Sequence, residues 1–326
     1  MRILVTGGAG YIGSITSDAL LTRGHDVVIL DDLRTGHRAA VPDGATFIQA
    51  DIADRETVAS TLDAHAIDAI VHFAASSLVG ESMQDPTLYF SNNTAGTLTL
   101  LDVALHHGVD RFLLSSTAAL YGTPDEVPIR EDDPLKPESV YGESKYLIER
   151  TLDWLGRTAN LGWTALRYFN AAGGTPHRGE DHRPESHLIP LVLQVALGQR
   201  DDIAIFGSDY DTPDGTAIRD YIHVLDLAEA HVVALEATEP GKGAAYNVGT
   251  GRGYSVREVI DTCREVTGHR IPATLAPRRA GDPPRLVADP SKLHATFGIT
   301  PRHSDLHDIV TSAWEWHETH PAGYAD

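Results

Sequence analysis

The chain has 326 residues, 42% hydrophobic and 22% charged, the balance of a folded globular protein long enough for one large α/β unit or two moderate domains. Its 26 Lys and Arg against 46 Asp and Glu leave a formal charge of −20, a field that repels polyphosphate and argues against nucleic acid as a partner. A single cysteine, Cys263, excludes an internal disulfide framework or a thiolate metal cluster and suits a reducing compartment, so the cytoplasm is the expected location.

Residues 2–6, RILVT, read as a short strand running into TGGAGYIG, and SITSDALLTRG then repeats apolar residues at a helical step until Gly24. HDVVILDD follows as a second strand. This start has too little apolar length before its glycines to act as a secretory signal. Strand, glycine turn, helix, strand is the context in which such a motif binds a dinucleotide. Gly7 allows the tight turn, Gly10 lets the main chain approach a pyrophosphate, and Gly13 lets the helix pack close to the sheet, while Tyr11 and Ile12 complete the helix N-terminus facing the phosphates. Asp31 ends the second strand, placed to accept from the adenosine ribose and to repel a 2′-phosphate, so NAD is expected over NADP. Arg34 nearby softens that preference, and a plain turn carboxylate is the other reading of Asp31.

ATFIQAD (45–51), AIVHFAA (69–75) and RFLLSST (111–117) are three further strands separated by helical stretches. The alternation predicts an α/β fold with a Rossmann-type, doubly wound parallel sheet and ligands at the carboxyl ends of its strands. There Asp51 and Ile52 are expected beside adenine, and Phe73, Ala74 and Ala75 along the cofactor. SVYGESKYLIER, 139–150, starts an amphipathic helix with Tyr141 and Lys145 four residues apart on one face. An ammonium beside a phenol lowers the phenol pKa from about 10 towards working pH, so Tyr141 is the expected general base, with Thr117, chosen among Ser115, Ser116 and Thr117, as hydroxyl relay. GGTPHRGEDHRPES marks a loop at a domain junction; the five-residue spacing of His177, His182 and His187 matches no common ligand pattern, and no metal is expected. LIPLVLQVALG (188–198) is too short to span a bilayer and reads as a buried helix.

TGGAGYIG with its Gly-x-x-Gly-x-x-Gly spacing, the strand-end hydroxyls and YGESK together resemble the extended short-chain dehydrogenase/reductases that act on nucleotide sugars. Sugar 4,6-dehydratases of that group carry an Asp-Glu pair after the threonine, where this chain has Ala118 and Ala119. HFAA-x-x-x-VGES (72–82), LRYFNAAG (166–173), AIFGSDY (204–210), GTAIRDYIHVLDLAEAH (215–231), YNVGTGRGYSV (246–256), APRRAGDPP (276–284) and HPAGY (320–324) extend the likeness along the chain to the UDP-glucose 4-epimerase family.

That resemblance implies reversible C4 epimerisation of a UDP-sugar with tightly bound NAD. It places Phe169 by the nicotinamide, Asn93 in the cofactor cleft, Asn170 at the sugar or diphosphate, Leu188 and Phe206 at the uracil, and Arg219, Arg279 and Asp282 at the diphosphate and its ribose. Structural salt bridges for the arginines and an ordinary core role for Phe206 are the alternatives. It further implies a cofactor domain over 1–170 with a returning segment around 220–235, a smaller C-terminal α/β substrate domain over 171–326, and a homodimer through the helices of TLTLLDVALHHG and YGESKYLIERTLDWLG. Two departures stand out: Ser77 replaces a lysine common in bacterial members, and Leu286 replaces a tyrosine that restricts the sugar's 2-substituent in some. A pentose or uronate epimerase and a catalytically silent NAD-binding protein remain rival readings.

Overall fold

The computed structural model describes residues 1–279 and 281–325; Ala280, within the APRRAGDPP stretch, lies outside the described residues. Its larger unit is built by β1 (Arg2–Thr6), α1 (Tyr11–Thr22), β2 (Asp26–Asp31), β3 (Thr46–Gln49), α2 (Arg55–His65), β4 (Ala69–His72), the single turns α3 (Val79–Ser82) and α4 (Pro86–Tyr89), α5 (Gly96–His106), β5 (Arg111–Thr117), α6 (Val140–Ala159) and β6 (Gly162–Tyr168). Alternate residues of each strand point to opposite faces. Ile3, Val5 and Ile29 meet one core layer, while Leu4, Val28 and Ile70 meet the other under α2, α5 and α6.

Then the chain leaves through β7 (Asn170–Ala172), α7 (Leu188–Ala196), β8 (Ile203–Phe206) and β9 (Ile218–His223), and comes back as α8 (Val224–Ala237) and β10 (Gly243–Val248). β10 pairs in parallel with β6 and completes a seven-stranded sheet in the order β10-β6-β5-β4-β1-β2-β3. The return is therefore longer than the expected 220–235. Val224 and Ala228 of α8 cover Tyr11 and Ile15 of α1. The remaining elements are β11 (Gly253–Ser255), α9 (Val256–Thr267), β12 (Ala273–Ala276), β13 (Arg285–Leu286), α10 (Ser291–Phe297) and α11 (Leu306–Thr319). Leu293 and Phe297 of α10 rejoin the core of the first unit.

In the smaller unit β9 is flanked by β7, β11 and β13, while β8 pairs with β12. Ile189, Val192, Ile205, Val259, Ile309 and Trp314 form its core under α7, α9 and α11, so the apolar run 188–198 is indeed a buried helix. The strand order of the large sheet reverses between β1 and β4, which puts the ligand crevice at their carboxyl ends. Among the described residues no helix is long and apolar enough to cross a membrane.

Candidate active site

The crevice begins at the glycine turn. Gly7 has φ +73°, and a Cβ there would lie 2.5 Å from the Ala74 nitrogen just beyond β4, so only glycine closes this turn. At Gly13 a Cβ would lie 2.2 Å from the Gly7 carbonyl oxygen. Gly13 thus lets α1 sit on the turn itself, a correction to the expectation that it serves packing on the sheet. At Gly10 the nearest atom to such a Cβ is 3.4 Å away, and Gly10 caps α1 without a side chain and with no carboxylate in the first turn. The helix N-terminus keeps its N–H groups and partial positive charge for an anion. Tyr11 donates its hydroxyl to the Gly173 carbonyl at 2.7 Å, joining α1 to the second unit, and Ile12 is half-buried beside α8.

Asp31 accepts from the Ala9 and Leu33 amides at 3.0 and 2.9 Å; burial raises its carboxyl and these two amides work against that. A Cβ on Gly36 would come within 3.0 Å of its Oδ1, so the glycine leaves that oxygen room. Arg34 lies 2.5 Å from Asp32 and 2.7 Å from Asp51. This guanidinium is thus engaged by two carboxylates on its own side of the crevice. Asp51 is engaged with Arg34 and the Ala53 amide, and the Ile52 side chain is buried in the core beneath Gly96 instead of lining the crevice. Phe73 packs on the His231 ring at 4.8 Å beside half-buried Ala74 and Ala75. A bare helix N-terminus, a carboxylate with room in front of it and a glycine-lined floor fit a dinucleotide.

Asn93 departs from expectation. It sits on a π-turn, Phe90–Ala95, fully buried, and its amide donates to the Ser76 carbonyl and the Ser144 hydroxyl while its oxygen accepts from the Ser76 amide. All its polar atoms go to protein. Asn93 therefore pins the loop after β4 onto α6 and positions the crevice wall.

The chemistry gathers where β5 ends. Ser139 caps α6 by accepting from the Gly142 amide at 3.1 Å, which sets Tyr141 on the first turn and Lys145 one turn below. Lys145 is 1% exposed and donates to the Ser115 carbonyl at 2.9 Å. Of the three strand-end hydroxyls, Ser115 bonds the Tyr168 phenol and Ser116 donates to Glu149 at 2.6 Å. Thr117 remains, its hydroxyl accepting from the Ala119 amide at 3.1 Å and near enough to the Tyr141 phenol to lower its pKa. Ala118 and Ala119 follow with nothing that moves a proton.

The sequence expectation for the phenol is corrected in sign. Burial pushes Tyr141 up to about 12, opposed only by the Thr117 hydrogen bond, and burial pulls Lys145 down to about 8 against the pull of Glu149. The ammonium is turned to the Ser115 carbonyl, so desolvation of the phenolate wins.

Phe169 packs with Ala118, Tyr121 and Leu286, and Asn170 donates its amide to the Asp220 carbonyl at 2.9 Å. β13 pairs with β9 so that Leu286 stands opposite Arg219. Arg219 is ion-paired with Asp282, Arg279 stacks 4.1 Å over the Phe206 ring, and Leu188 opens α7. Both readings of Arg219 thus hold a footing, as a salt bridge here and as a cation with a carboxylate beside it. Sequence reasoning missed the buried pair of Arg167 with Glu149 at 2.6 Å, which no local pattern signals. It also set aside His182 and His187, which the fold brings together with Glu180 and Glu185, whereas His177 is exposed outside that group.

Comparison with known proteins agrees with this geometry. Residues 3–249 match the NAD dependent epimerase/dehydratase family. The chain is 52% identical to the UDP-glucose 4-epimerase of Halalkalibacterium halodurans, over all of this chain and 98% of that one. It is also 52% identical to that of Corynebacterium glutamicum over 96% and 95% of the two chains. The crystal structure of UDP-glucose 4-epimerase from Brucella ovis in complex with NAD superposes with a TM-score of 0.92 at 43% identity, over 96% of this chain and 97% of that one. The chain therefore belongs to the NAD dependent epimerase/dehydratase family, in its UDP-glucose 4-epimerase branch.

Proposed function

We propose that the chain interconverts UDP-glucose and UDP-galactose by inverting the sugar at C4 through a 4-keto sugar. The observation that carries this reading is the buried group of Tyr141, Lys145 and the neighbouring Thr117 hydroxyl at the end of β5, beside the glycine turn. The chemistry NAD supplies when bound is the reversible removal of hydride from C4. Tyr141 takes the O4 proton, with Thr117 bridging the sugar oxygen and the phenol. In so dry a site a neighbouring positive charge lowers a phenol pKa far more than it would in water, which is how a tyrosine raised to about 12 becomes a base. Ala118 and Ala119 offer no acid or base for expelling the 6-hydroxyl, so oxidation and reduction at C4 is the chemistry left.

Arg219 and Arg279 hold the diphosphate in a chain of charge −20, and Asp282 turns to the ribose when phosphate replaces it at Arg219. With the nucleotide anchored, the free keto sugar rotates and is reduced from its other face. Purified protein given UDP-galactose should yield UDP-glucose with no net redox change. Absence of turnover with NAD bound would instead favour a silent NAD-binding protein, and a preference for pentose or uronate substrates would move the assignment within the branch.

The 2-position of the sugar is open in this reading. Leu286 packs into the Phe169 cluster, and exposed Arg285 turns away to the Asp211 carbonyl at 3.3 Å, so UDP-N-acetylglucosamine is also a substrate. Undetectable turnover of it would end that part. We propose a homodimer through α5 and α6, a reading supported by Leu98 and Trp154, 42% and 59% exposed on those helices; light scattering at micromolar concentration tests the mass. We place the enzyme in the cytoplasm, where buried, unpaired Cys263 stays reduced.

A further inference from the structure

The loop 180–187 gathers four metal-ligating side chains at the junction of the two units. Glu180, His182, Glu185 and His187 each offer one ligand atom, and these atoms all lie within 4.8 Å of one another. His187 Nδ1 is 2.7 Å from a Glu180 oxygen and 2.8 Å from a Glu185 oxygen, while His182 Nδ1 is 3.2 Å from Glu180 and 3.9 Å from Glu185. Four ligands held about 2.0–2.2 Å from a tetrahedral zinc stand roughly 3.3–3.6 Å apart. The observed separations bracket that edge.

We propose that Glu180, His182, Glu185 and His187 form a binding site for one divalent cation of the zinc class. Two imidazole nitrogens among four donors select against calcium and magnesium, which take six or more oxygens. Charge also balances. Two carboxylates among the four donors bring two negative charges for a dication to neutralise.

The donors are held before any ion arrives. Gly179 packs on Trp316 of α11, where a Cβ would lie 2.2 Å from the ring, and its amide donates to the Tyr324 hydroxyl at 3.1 Å. Asp181 accepts from the Tyr324 amide at 3.0 Å and pairs with Arg183 at 2.8 Å. The carboxylates are shielded, each side chain being 5% exposed, whereas His187 is 44% exposed at the rim. A cleft of about 420 Å³ lined by Glu180, His182, Glu185 and His317 gives an ion a way in. Spacing hid the site: the ligands fall at steps of two, three and two residues, which no helix or strand brings to one face. The next residue is Leu188, the start of α7, so a bound ion braces the approach to the proposed uracil pocket.

Tag-free protein stripped with EDTA and titrated with zinc should bind one ion per chain. Cobalt should give the intense visible bands of four-coordination. H187A should weaken zinc more than about 100-fold, whereas H177A, in the same loop but outside the group, should not. X-ray absorption of the wild-type zinc complex should find two nitrogens and two oxygens, which keeps the test alive if a variant misfolds. Absence of stoichiometric binding, equal affinity in H187A, or a shell without two imidazoles would overturn the proposal.

Discussion

Two buried polar clusters share β5 and α6 and behave in opposite ways. In one, Glu149 accepts from Ser116 and pairs with Arg167, whose guanidinium also donates to the Tyr121 phenol at 2.8 Å; that phenol in turn donates to Asn247 at 2.7 Å. Burial works against the Arg167 charge, but Glu149 outweighs it and holds the guanidinium above its ordinary range. One turn towards the crevice, Tyr141 and Lys145 have no such partners and burial moves both towards their neutral forms. The contrast separates a network that fixes the fold through a buried ion pair from one whose charged forms lack that support in the folded chain.

Y141F should expose that division most sharply. It removes the proton acceptor, so turnover of UDP-galactose falls by about 10²–10⁴, while the unfolding midpoint stays near that of the wild type. Near-normal turnover would remove Tyr141 from the chemistry. E149A should do the reverse. It strands a buried guanidinium and lowers unfolding free energy by about 3–5 kcal/mol, with the double variant E149M/R167M recovering most of the loss in urea titrations. A loss below about 1 kcal/mol for E149A would mean that Arg167 finds water or another partner.

These two clusters also mark how far the sequence could be read. The glycine turn, Asp31, β5 and the Tyr141–Lys145 face of α6 were legible because each depends on local period, capping and turn chemistry. Thr117 was legible as one of three hydroxyls, but only contacts with Tyr168 and Glu149, 53 and 33 residues away, take Ser115 and Ser116 out of contention. The partners of Arg167, the core role of Ile52, the bracing by Asn93 and the return of β10 to the large sheet all depend on pairings distant in sequence. The sign of the Tyr141 shift was illegible for a further reason. It is a competition between burial and charge, and burial is a property of the folded chain.

T117V sharpens the comparison at smaller scale. Thr117 is the strand-end hydroxyl not committed to Tyr168 or Glu149 and the one that acts on the Tyr141 phenol, so its loss as relay should slow turnover about ten-fold, the worth of one hydrogen bond near 1.4 kcal/mol. T117S should recover most of it. Equal rates for all three chains would assign the relay to solvent.

The last effect is on stability rather than rate, and its sign is the informative part. Burial holds Lys145 at about 8 in the fold against 10.5 in an open chain. Between those values the unfolded chain keeps a proton there that the folded chain has released. The wild type therefore gains stability as pH rises across that window and loses it as pH falls through about 8. K145M has no such group and no such slope. In urea titrations of cofactor-free chains, K145M should be the more stable by about 3 kcal/mol at pH 7, and the gap should narrow steadily towards pH 10. Differencing the two chains removes the titrations they share, Cys263 and the tyrosines included. A wild type that is more stable at pH 7, with its lead shrinking towards pH 10, would make the buried ammonium a net support of the fold and place Lys145 with Arg167 among the groups that hold the structure together.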